Sequence, residues 1–337
     1  MADQTRDRNV LIDPIDLGYL DLERSAYAFL VRRTGHAPIL VECGTAACQP
    51  RLERALAERG MALESIAAVA VTHIHLDHAG GAGHWTGRGV PILVHPFGVR
   101  HLADPSKLIA SSRRVHGPAY DRHYGDPLPC AEALLRPMAD RASTEVAGLR
   151  LTAIETPGHA RHHHAWCVEP AVDDVLPGER HLFTGDVAAM CVPGSRFLSV
   201  PTPPPEFDLV AWRRSLDTLA DLVRRTPATL WLTHGGRMPD VAAHLGAVRK
   251  RLEAEVALMT DLLSSLDGVA PGGPEEAAAI DRYGAWLWPQ AAAAGVSEAG
   301  RHAFLGPAFC RMNLAGARRW REQEAKAGAA GSAPAPT

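Results

Sequence analysis

Over its first two thirds the chain alternates between short apolar runs and polar turns, a pattern typical of strands in a mixed α/β body. Two runs, "SAYAFLVRRTG" and "APILVECGTA", are predicted to be strands joined by a turn at residues 33–36. Further strands are predicted where apolar runs stop at polar residues: "IAAVAVTH", "VPILVHP", "LRLTAIETPGH", "RHLFTGDVA" and "ATLWLTHGG". Between them, "CQPRLERALAERGM" places Leu52, Leu56 and Met61 on one face of a helix.

The pattern changes after Gly236, where apolar residues recur every three or four positions. One long helix is predicted, with an apolar seam formed by Leu245, Val248, Leu252, Val256, Met259, Leu263 and Leu266. Two more helices are predicted around residues 277–294 and 297–324. We therefore expect an α/β body over residues 1–238, a helical region over 239–325 and a disordered tail over 326–337. We interpret the seam as core, and the alternative is a contact between copies in a homo-oligomer.

The composition is that of a globular protein with a sizeable core, since 46% of the 337 residues are hydrophobic and 22% are charged. The formal net charge of -3 gives no sign of a general affinity for nucleic acid or membranes, so a small-molecule substrate is expected. The first twenty residues lack the apolar stretch of a secretory signal, and no apolar run reaches the ~18 residues of a spanning helix. Six scattered cysteines without a CxxC pair favour a reduced, cytoplasmic protein.

The segment "VTHIHLDHAGG" places three histidines and one aspartate within six residues, directly after an apolar strand. Alternate side chains of an extended segment share a face, so His73, His75 and Asp77 are expected to point one way, with His78 following. Two imidazoles can hold one divalent ion, and Asp77 with His78 can hold a second. The alternative is a histidine-rich surface turn, which a lone HxH usually is.

Three later strand ends supply the further ligands that two ions need. His159 in "TPGHA" can complete the first site, and His234 in "THGG" can complete the second. Asp186 in "FTGDV" can bridge the two ions with its two oxygens. Such a set leaves open positions for water, as catalytic metal sites require.

The ordered motifs THxHxDH, TPGH, TGD and THGG resemble those of the metallo-β-lactamase-fold hydrolase superfamily, over roughly residues 10–238. The resemblance implies an α/β fold, a four-layer αββα sandwich with a dinuclear site along one edge, here followed by the C-terminal helical extension. It implies that the ligands of one ion are His73, His75 and His159. It implies that those of the other are Asp77, His78 and His234, with Asp186 between the two. Zinc is the expected ion, with iron and manganese as alternatives.

Metal-assisted hydrolysis is the chemistry that follows from two adjacent ions. They lower the pKa of a shared water to about 7 or below, so a metal-bridging hydroxide can attack a carbonyl while Asp77 orients it. The chain looks most similar to the glyoxalase II-like branch, which implies cleavage of a thioester, ester or lactone. The alternatives are a mononuclear-iron sulfur dioxygenase, a phosphodiesterase or nuclease of the same fold, and a non-catalytic binding protein. Two complete ligand sets disfavour the dioxygenase and the binding protein.

Two residues are expected to support the ligands through hydrogen bonds. His163 lies four residues after His159, where the family often has a second histidine. Glu42 stands in "VECGT", at a position where the family often has an aspartate. We interpret the neighbouring His162 and His164 as structural.

A basic segment over residues 97–120 follows "VPILVHP" and carries four cations that only Asp104 would balance: Arg100, Lys107, Arg113 and Arg114. It is expected either to cover the site as a loop and bind a carboxylate or phosphate of an anionic substrate, or to be an ordinary solvated loop. Four prolines stiffen the segment "VPTPPPEFDL" at residues 200–209. That segment is expected to be either a rigid wall near Asp186 or a spacer.

Overall fold

A computed structural model describes residues 10–171, 180–267 and 272–331. Its strands are β1 (Val10–Asp16), β2 (Tyr27–Arg33), β3 (Ile39–Val41), β4 (Val69–Ala70), β5 (Ile92–Val94), β6 (Leu135–Pro137), β7 (Ser143–Val146), β8 (Leu149–Glu155), β9 (His164–Pro170), β10 (His181–Phe183), β11 (Met190–Cys191), β12 (Leu198–Ser199), β13 (Thr229–Leu232) and β14 (Gly236–Met238). Its helices are α1 (Gln49–Glu58), α2 (Leu76–Ala79), α3 (Ala82–Thr86), α4 (Val99–Ala103), α5 (Ser106–His116), α6 (Tyr120–His123), α7 (Leu209–Arg225), α8 (Val241–Ser264), α9 (Pro274–Ala293), α10 (Glu298–Leu305) and α11 (Pro307–Gly331).

Two six-stranded sheets form the body. The first has the order β1-β2-β3-β4-β5-β6 and the second the order β14-β13-β10-β9-β8-β7, while β11 and β12 form a separate ribbon. In the first sheet β3, β4, β5 and β6 run parallel, and in the second β10 runs parallel to β13. Parallel strands bring their carboxyl ends to one edge, and in such sheets that edge is where ligands bind.

A layer of large side chains fills the space between the sheets. Phe29 and Val31 of β2 face this inner core and meet Trp166, Phe183 and Trp231 of the second sheet. The alternate β2 residues lie in the other core, to which α1 and α7 contribute leucines. Helices therefore cover the outer faces of two stacked sheets, and the expected αββα sandwich is confirmed.

The C-terminal helices pack into the same outer core as the body. All seven seam residues, six in α8 and Leu266 just after it, are buried and belong to one cluster with side chains of the strands and of α7. The seam is therefore core, as we interpreted it. The helix α8 starts at Val241, where the Asp240 side chain accepts a hydrogen bond from the Ala243 amide (3.0 Å).

The end of the chain differs from expectation in two respects. The helix predicted over residues 297–324 is two helices, because Gly306 leaves the helix (ψ 178°) and Pro307 cannot continue it. The helix α11 then runs to Gly331, so residues 326–331 are helical and not the disordered tail that we predicted. Residues 332–337 of that tail lie outside the described residues.

Two sequence-based expectations, one on disulfide bonds and one on membrane-spanning helices, can be compared with the structure. The six cysteines are buried free thiols, in keeping with the expectation that they form no disulfide framework. Among the helices of the described ranges, none has the length and apolar character needed to span a bilayer.

Leu252 tests whether the helical region and the body share one core. The residue is fully buried in the shared cluster, so Leu252→Ala should lower the free energy of unfolding by about 2–5 kcal/mol in one cooperative transition. Urea denaturation followed by circular dichroism and tryptophan fluorescence measures both quantities. Leu11→Ala, at a leucine that is 49% exposed, is the matched control and should change the stability by about 0.5 kcal/mol or less. Two separate transitions in the wild type would contradict a shared core.

Candidate metal centre

Five ends of strands converge on one edge of the sandwich. Glu42 follows β3, and the cluster that starts at His73 follows β4 after two residues. Asp186 and His234 follow the parallel pair β10 and β13, and His159 follows β8. The candidate residues therefore lie after strands of both sheets, in the places where the sequence put them.

The cluster itself is only partly extended. His75 is extended and precedes the short helix α2, and Asp77 and His78 lie within that helix. Our expectation that His73, His75 and Asp77 align by strand alternation was therefore wrong beyond His75. The helix α2 instead brings Asp77 and His78 onto the side that faces His234.

Three imidazoles form the first group. Nδ1 of His75 lies 3.0 Å from Nε2 of His73 and 2.8 Å from Nε2 of His159. Nδ1 of His73 donates to the Thr72 hydroxyl (3.0 Å), and Nδ1 of His159 donates to the Pro201 carbonyl (2.9 Å). Both Nε2 atoms therefore carry lone pairs, and one proton on His75 cannot satisfy both. A divalent cation would satisfy all three nitrogens, so this group fits one.

The second group combines carboxylates with imidazoles. Nε2 of His78 lies 3.8 Å from Oδ2 of Asp77, and Nε2 of His234 lies 3.4 Å from the same oxygen. Asp186 divides its oxygens, with Oδ1 at 3.3 Å from His78 Nε2 and Oδ2 at 3.4 Å from His159 Nε2. The structure therefore brings all seven residues of the expected ligand set together, with Asp186 between the two groups.

Three buried atoms of the second group find no hydrogen-bond partner in the described part of the chain: His78 Nε2, His234 Nε2 and Asp186 Oδ1. The other ring nitrogens of the two histidines are engaged, since Nδ1 of His78 donates to Glu42 (3.0 Å) and Nδ1 of His234 donates to the Ser25 carbonyl (2.7 Å). Unpaired buried polar atoms are costly. When the two imidazoles are neutral, their Nε2 lone pairs converge with Asp186 Oδ1, and that arrangement fits a second divalent cation.

The ionisation states of the candidate ligands suit the binding of divalent cations. Burial, reinforced by neighbouring imidazoles, holds the pKa values of His73 and His75 well below the usual range, so both are neutral at pH 7. Burial also opposes the charge on His78, but the Asp186 and Asp77 carboxylates outweigh it and raise the His78 pKa. Burial likewise opposes ionisation of Asp186, which the cation on His78 outweighs, so the Asp186 pKa lies well below its usual range. Protons on the imidazoles balance the charge of the carboxylates, and bound divalent ions can replace these protons.

Glu42 ties these strand ends together. Its Oε1 accepts from the hydroxyls of Thr72 (2.6 Å) and Thr233 (3.0 Å) as well as from His78, and its Oε2 accepts from the Thr72 amide (3.2 Å). Thr72 and Thr233 directly precede candidate ligands. The structure thus places Glu42 where the sequence analysis expected it to act.

His163 holds the backbone of Asp186. Its Nδ1 donates to the Thr156 hydroxyl (2.8 Å), which leaves Nε2 to accept from the Asp186 amide (3.2 Å). Gly185 must precede Asp186 because its φ is +49° and a Cβ there would lie 2.8 Å from Nε2 of His163. Of the two histidines interpreted as structural, His162 contacts Glu206 (3.0 Å), and His164 starts β9 fully buried.

A further group, His95, Glu155 and His164, lies beside the centre. The Phe97 amide donates to Nδ1 of His95 (3.0 Å), so its Nε2 carries the proton that faces Glu155 (3.3 Å). Burial lowers the pKa of His164 to about 3. Burial also lowers the pKa of His95, so the His95–Glu155 contact is a neutral imidazole donating to a carboxylate.

The basic segment is not a loop, because it folds as α4 and α5. Contrary to our expectation, Arg113 is balanced by two carboxylates, Asp121 (2.8 Å) and Asp126 (2.9 Å). The Arg100 guanidinium lies over the Phe97 ring, 4.5 Å from its centroid. The two remaining cations are exposed on α5, Lys107 and Arg114.

Several residues beside the second group were not found by sequence reasoning. The hydroxyls of Tyr19 and Tyr124 lie 2.5 Å apart, and the Tyr19 ring lies 5.7 Å from that of His234. Phe304 of α10 lies 6.4 Å from the same imidazole. No local motif marks these residues, since Tyr19 follows β1, Tyr124 directly follows α6 and Phe304 lies in the C-terminal helices.

The centre opens to solvent on one side. Only His75 and Asp77 of the seven residues are partly exposed, and the Asp77 side chain is 17% exposed. The other five are buried. A small molecule can therefore approach through the opening beside His75 and Asp77.

Glu42→Gln tests the tie between the strand ends. The amide nitrogen would replace one acceptor oxygen and face donors, so the metal-free variant should lose about 1–3 kcal/mol of stability. Urea denaturation measures the loss. Glu64→Gln, at an exposed glutamate, is the matched control and should match the wild type. Equal stability of the Glu42 variant and the wild type would refute this role.

The metal-free protein should lose stability in acid. Burial lowers the folded-state pKa values of four centre histidines, which are His73, His75, His159 and His163. The unfolded chain takes up protons at these positions below about pH 6.5 while the folded chain does not, so the free energy of unfolding falls as the pH drops below that value. The raised pKa values of His78 and His234 act above this range: their contribution to stability is fully present below about pH 6.5 and is lost as the pH rises through their folded-state pKa values, so they do not offset the fall in acid.

Urea midpoints between pH 7.5 and pH 5 measure this dependence. His302→Gln, at an exposed histidine, should leave it unchanged. A midpoint that stays constant or rises toward pH 5 would show that the buried histidines accept protons in the folded state.

Comparison with known proteins places this geometry in a family. The model of the metallo-beta-lactamase superfamily matches residues 22–234. The metallo-beta-lactamase fold-containing protein ST1585 of Sulfurisphaera tokodaii is 28% identical over 178 residues, which are 52% of this chain and 62% of that relative. The chain thus matches less than two thirds of the relative's length in sequence.

Two crystal structures share the fold. The metallo-beta-lactamase family protein TTHA1429 from Thermus thermophilus has a TM-score of 0.57 and 22% identity, with 94% of each chain covered. ST1585 from Sulfolobus tokodaii has a TM-score of 0.56 and 20% identity, with 92% of this chain and 98% of that chain covered. The family match includes every candidate ligand from His73 to His234. The chain therefore belongs to the metallo-beta-lactamase superfamily.

Proposed function

We propose that the chain is a dinuclear metal-dependent hydrolase that cleaves a thioester, ester or lactone, as in the glyoxalase II-like branch of the superfamily. The observation that carries this proposal is that the two oxygens of Asp186 face different groups: Oδ2 faces His159 Nε2 (3.4 Å) and Oδ1 faces His78 Nε2 (3.3 Å). One carboxylate shared by two imidazole groups can hold two cations side by side.

The donor set favours zinc, with iron and manganese as alternatives, because neutral imidazole and carboxylate are ordinary zinc ligands. When bound, such ions lower the pKa of a water from about 15.7 to about 7 and polarise an acyl oxygen. The residues supply the remaining steps. Asp77, the partly exposed carboxylate, can orient a water at the opening. Asp186 and His78 stay buried and hold their charges in place.

The lining of the second group supports an acyl substrate. Tyr19 and Phe304 form an aromatic wall against His234, and Phe304 comes from the C-terminal helices. Such a wall suits the apolar part of an acyl group. The Arg100 guanidinium lies over the Phe97 ring, 4.5 Å from its centroid, and has no carboxylate partner among the described residues, which supports an anionic group elsewhere on the substrate.

A panel of thioesters, lactones, phosphodiesters and β-lactams tests the proposal with zinc-, manganese- and iron-loaded protein. We expect two ions per chain and turnover of one of the acyl classes. One iron per chain with oxygen consumption would instead indicate the mononuclear dioxygenase. Turnover of phosphodiesters alone would indicate a phosphodiesterase.

Asp186→Asn and Asp77→Asn test the assigned roles. Loss of a partner that merely orients a metal ligand costs about 10–100-fold in affinity or activity, so loss of a ligand should cost at least about 100-fold in turnover. Metal content after dialysis should fall with activity in the Asp186 variant. Asp217→Asn, on the exposed face of α7, is the matched control and should retain both. Unchanged turnover in the Asp77 and Asp186 variants, with the fold intact by circular dichroism, would refute the mechanism.

A further inference from the structure

The orientation of His159 depends on one backbone carbonyl. Nδ1 of His159 donates to the Pro201 carbonyl (2.9 Å), and since a carbonyl only accepts, the ring proton must lie on Nδ1. Nε2 is then the lone-pair atom that faces Asp186 and His75. A movement of the Pro201 carbonyl would therefore turn the ring or release its proton to the other nitrogen.

The side chain of Asn313 binds the backbone on both sides of the Pro201 carbonyl, an arrangement that we call the bracket. The Asn313 amide nitrogen donates to the Val200 carbonyl (3.0 Å), and Oδ1 of Asn313 accepts from the Thr202 amide (2.9 Å). The Thr202 hydroxyl also donates to the backbone carbonyl of Asn313 (3.2 Å). Asn313 and Thr202 are fully buried, so water does not compete for these contacts. The peptide that orients His159 is thus held on both sides by α11.

Asn313 is itself held by two other C-terminal helices. Its amide nitrogen donates to the Tyr283 hydroxyl of α9 (3.1 Å), and that hydroxyl donates to Glu255 of α8 (2.5 Å). Nε of Arg251 donates to the other oxygen of Glu255 (2.5 Å). Because Tyr283 gives its proton to Glu255, it can only accept from Asn313, which fixes the direction of the Asn313 amide.

We infer that Asn313 is a positioning residue for His159, through which the C-terminal helices set the geometry of the first imidazole group. Packing alone does not need an amide here, because an apolar side chain of similar size would fill the space without the cost of burying polar atoms. The inference rests on the proposed function only in that His159 holds an ion. The position of the ring proton of His159 does not depend on that function.

Asn313→Leu removes the bracket at nearly constant volume, and Leu314→Ala is the matched control. Leu314 is the next residue of α11, is also buried, and has no polar side-chain atom to offer residues 200–202. Zinc affinities from chelator competition should show one of the two ions bound about 10-fold more weakly in Asn313→Leu and the other changed by about 2-fold or less. Leu314→Ala should lower the free energy of unfolding while leaving both affinities as in the wild type.

Long-range ¹H–¹⁵N spectra of the metal-free protein give a second readout. We expect a proton on Nδ1 of both His159 and His234 in the wild type, and we expect Asn313→Leu to lose this proton at His159 only. His234 is an internal control because Nδ1 of His234 donates to the Ser25 carbonyl, in a segment outside the bracket. If Asn313→Leu does not fold, Tyr283→Phe, which removes one partner of Asn313, is the alternative variant. It should weaken the binding of the same one ion, by less than the roughly 10-fold loss expected for Asn313→Leu.

The outcomes separate the two proposals. If the wild type binds no divalent ion, the proposed function fails, while the His159 tautomer in the metal-free variants still decides the role of Asn313. The inference would be overturned if Asn313→Leu and Leu314→Ala weakened the binding of both ions to the same extent. It would also be overturned if the tautomer of His159 were unchanged in Asn313→Leu.

Discussion

The hydrogen bonds to the buried carboxylate of Glu42 are the interaction on which the candidate centre depends. They join the end of β3 to the ends of β4 and β13, which belong to different sheets, through Thr72 and Thr233. Glu42 adopts a positive φ of 66°, an uncommon conformation that costs of order 1–3 kcal/mol in a residue with a side chain. Loss of these donors would leave buried oxygens of Glu42 without hydrogen-bond partners, which is costly. The sheets are therefore locked together at the edge where the ligands meet.

Charge balance is the second constraint on the same edge. Asp77 and Asp186 are buried or nearly so, and in the absence of divalent ions the protons on His78 and His234 compensate them. Exchange of these protons for cations keeps the interior neutral, so ion binding and protonation are linked. Any ion that binds the folded chain but not the unfolded chain adds to its stability.

The positions of the seven candidate ligands could be predicted because each lies in a short motif at the end of an apolar strand. The helix α2 was missed because a HxHxDH run is too short to show a helical period. The strand β9 was missed because its seven residues are all buried and do not alternate, and β1 because it contains Pro14 and two aspartates. The balance of charge in the basic segment was missed because the two partners of Arg113 lie 8 and 13 residues later, on and after α6.

The contacts of Asn313 could not be predicted, because residues 200–202 and 313 are more than a hundred positions apart and no motif joins them. The hydrogen bonds that hold two candidate ligands also join residues far apart in the sequence: Nδ1 of His234 donates to Ser25, and Nδ1 of His159 donates to Pro201. This arrangement has a consequence for biosynthesis. A nascent chain that has emerged only as far as β13 and His234 has all seven ligands but not yet the α11 residue that brackets Pro201. If Asn313 positions His159 as we infer, the first imidazole group reaches its final geometry only after translation has passed Asn313.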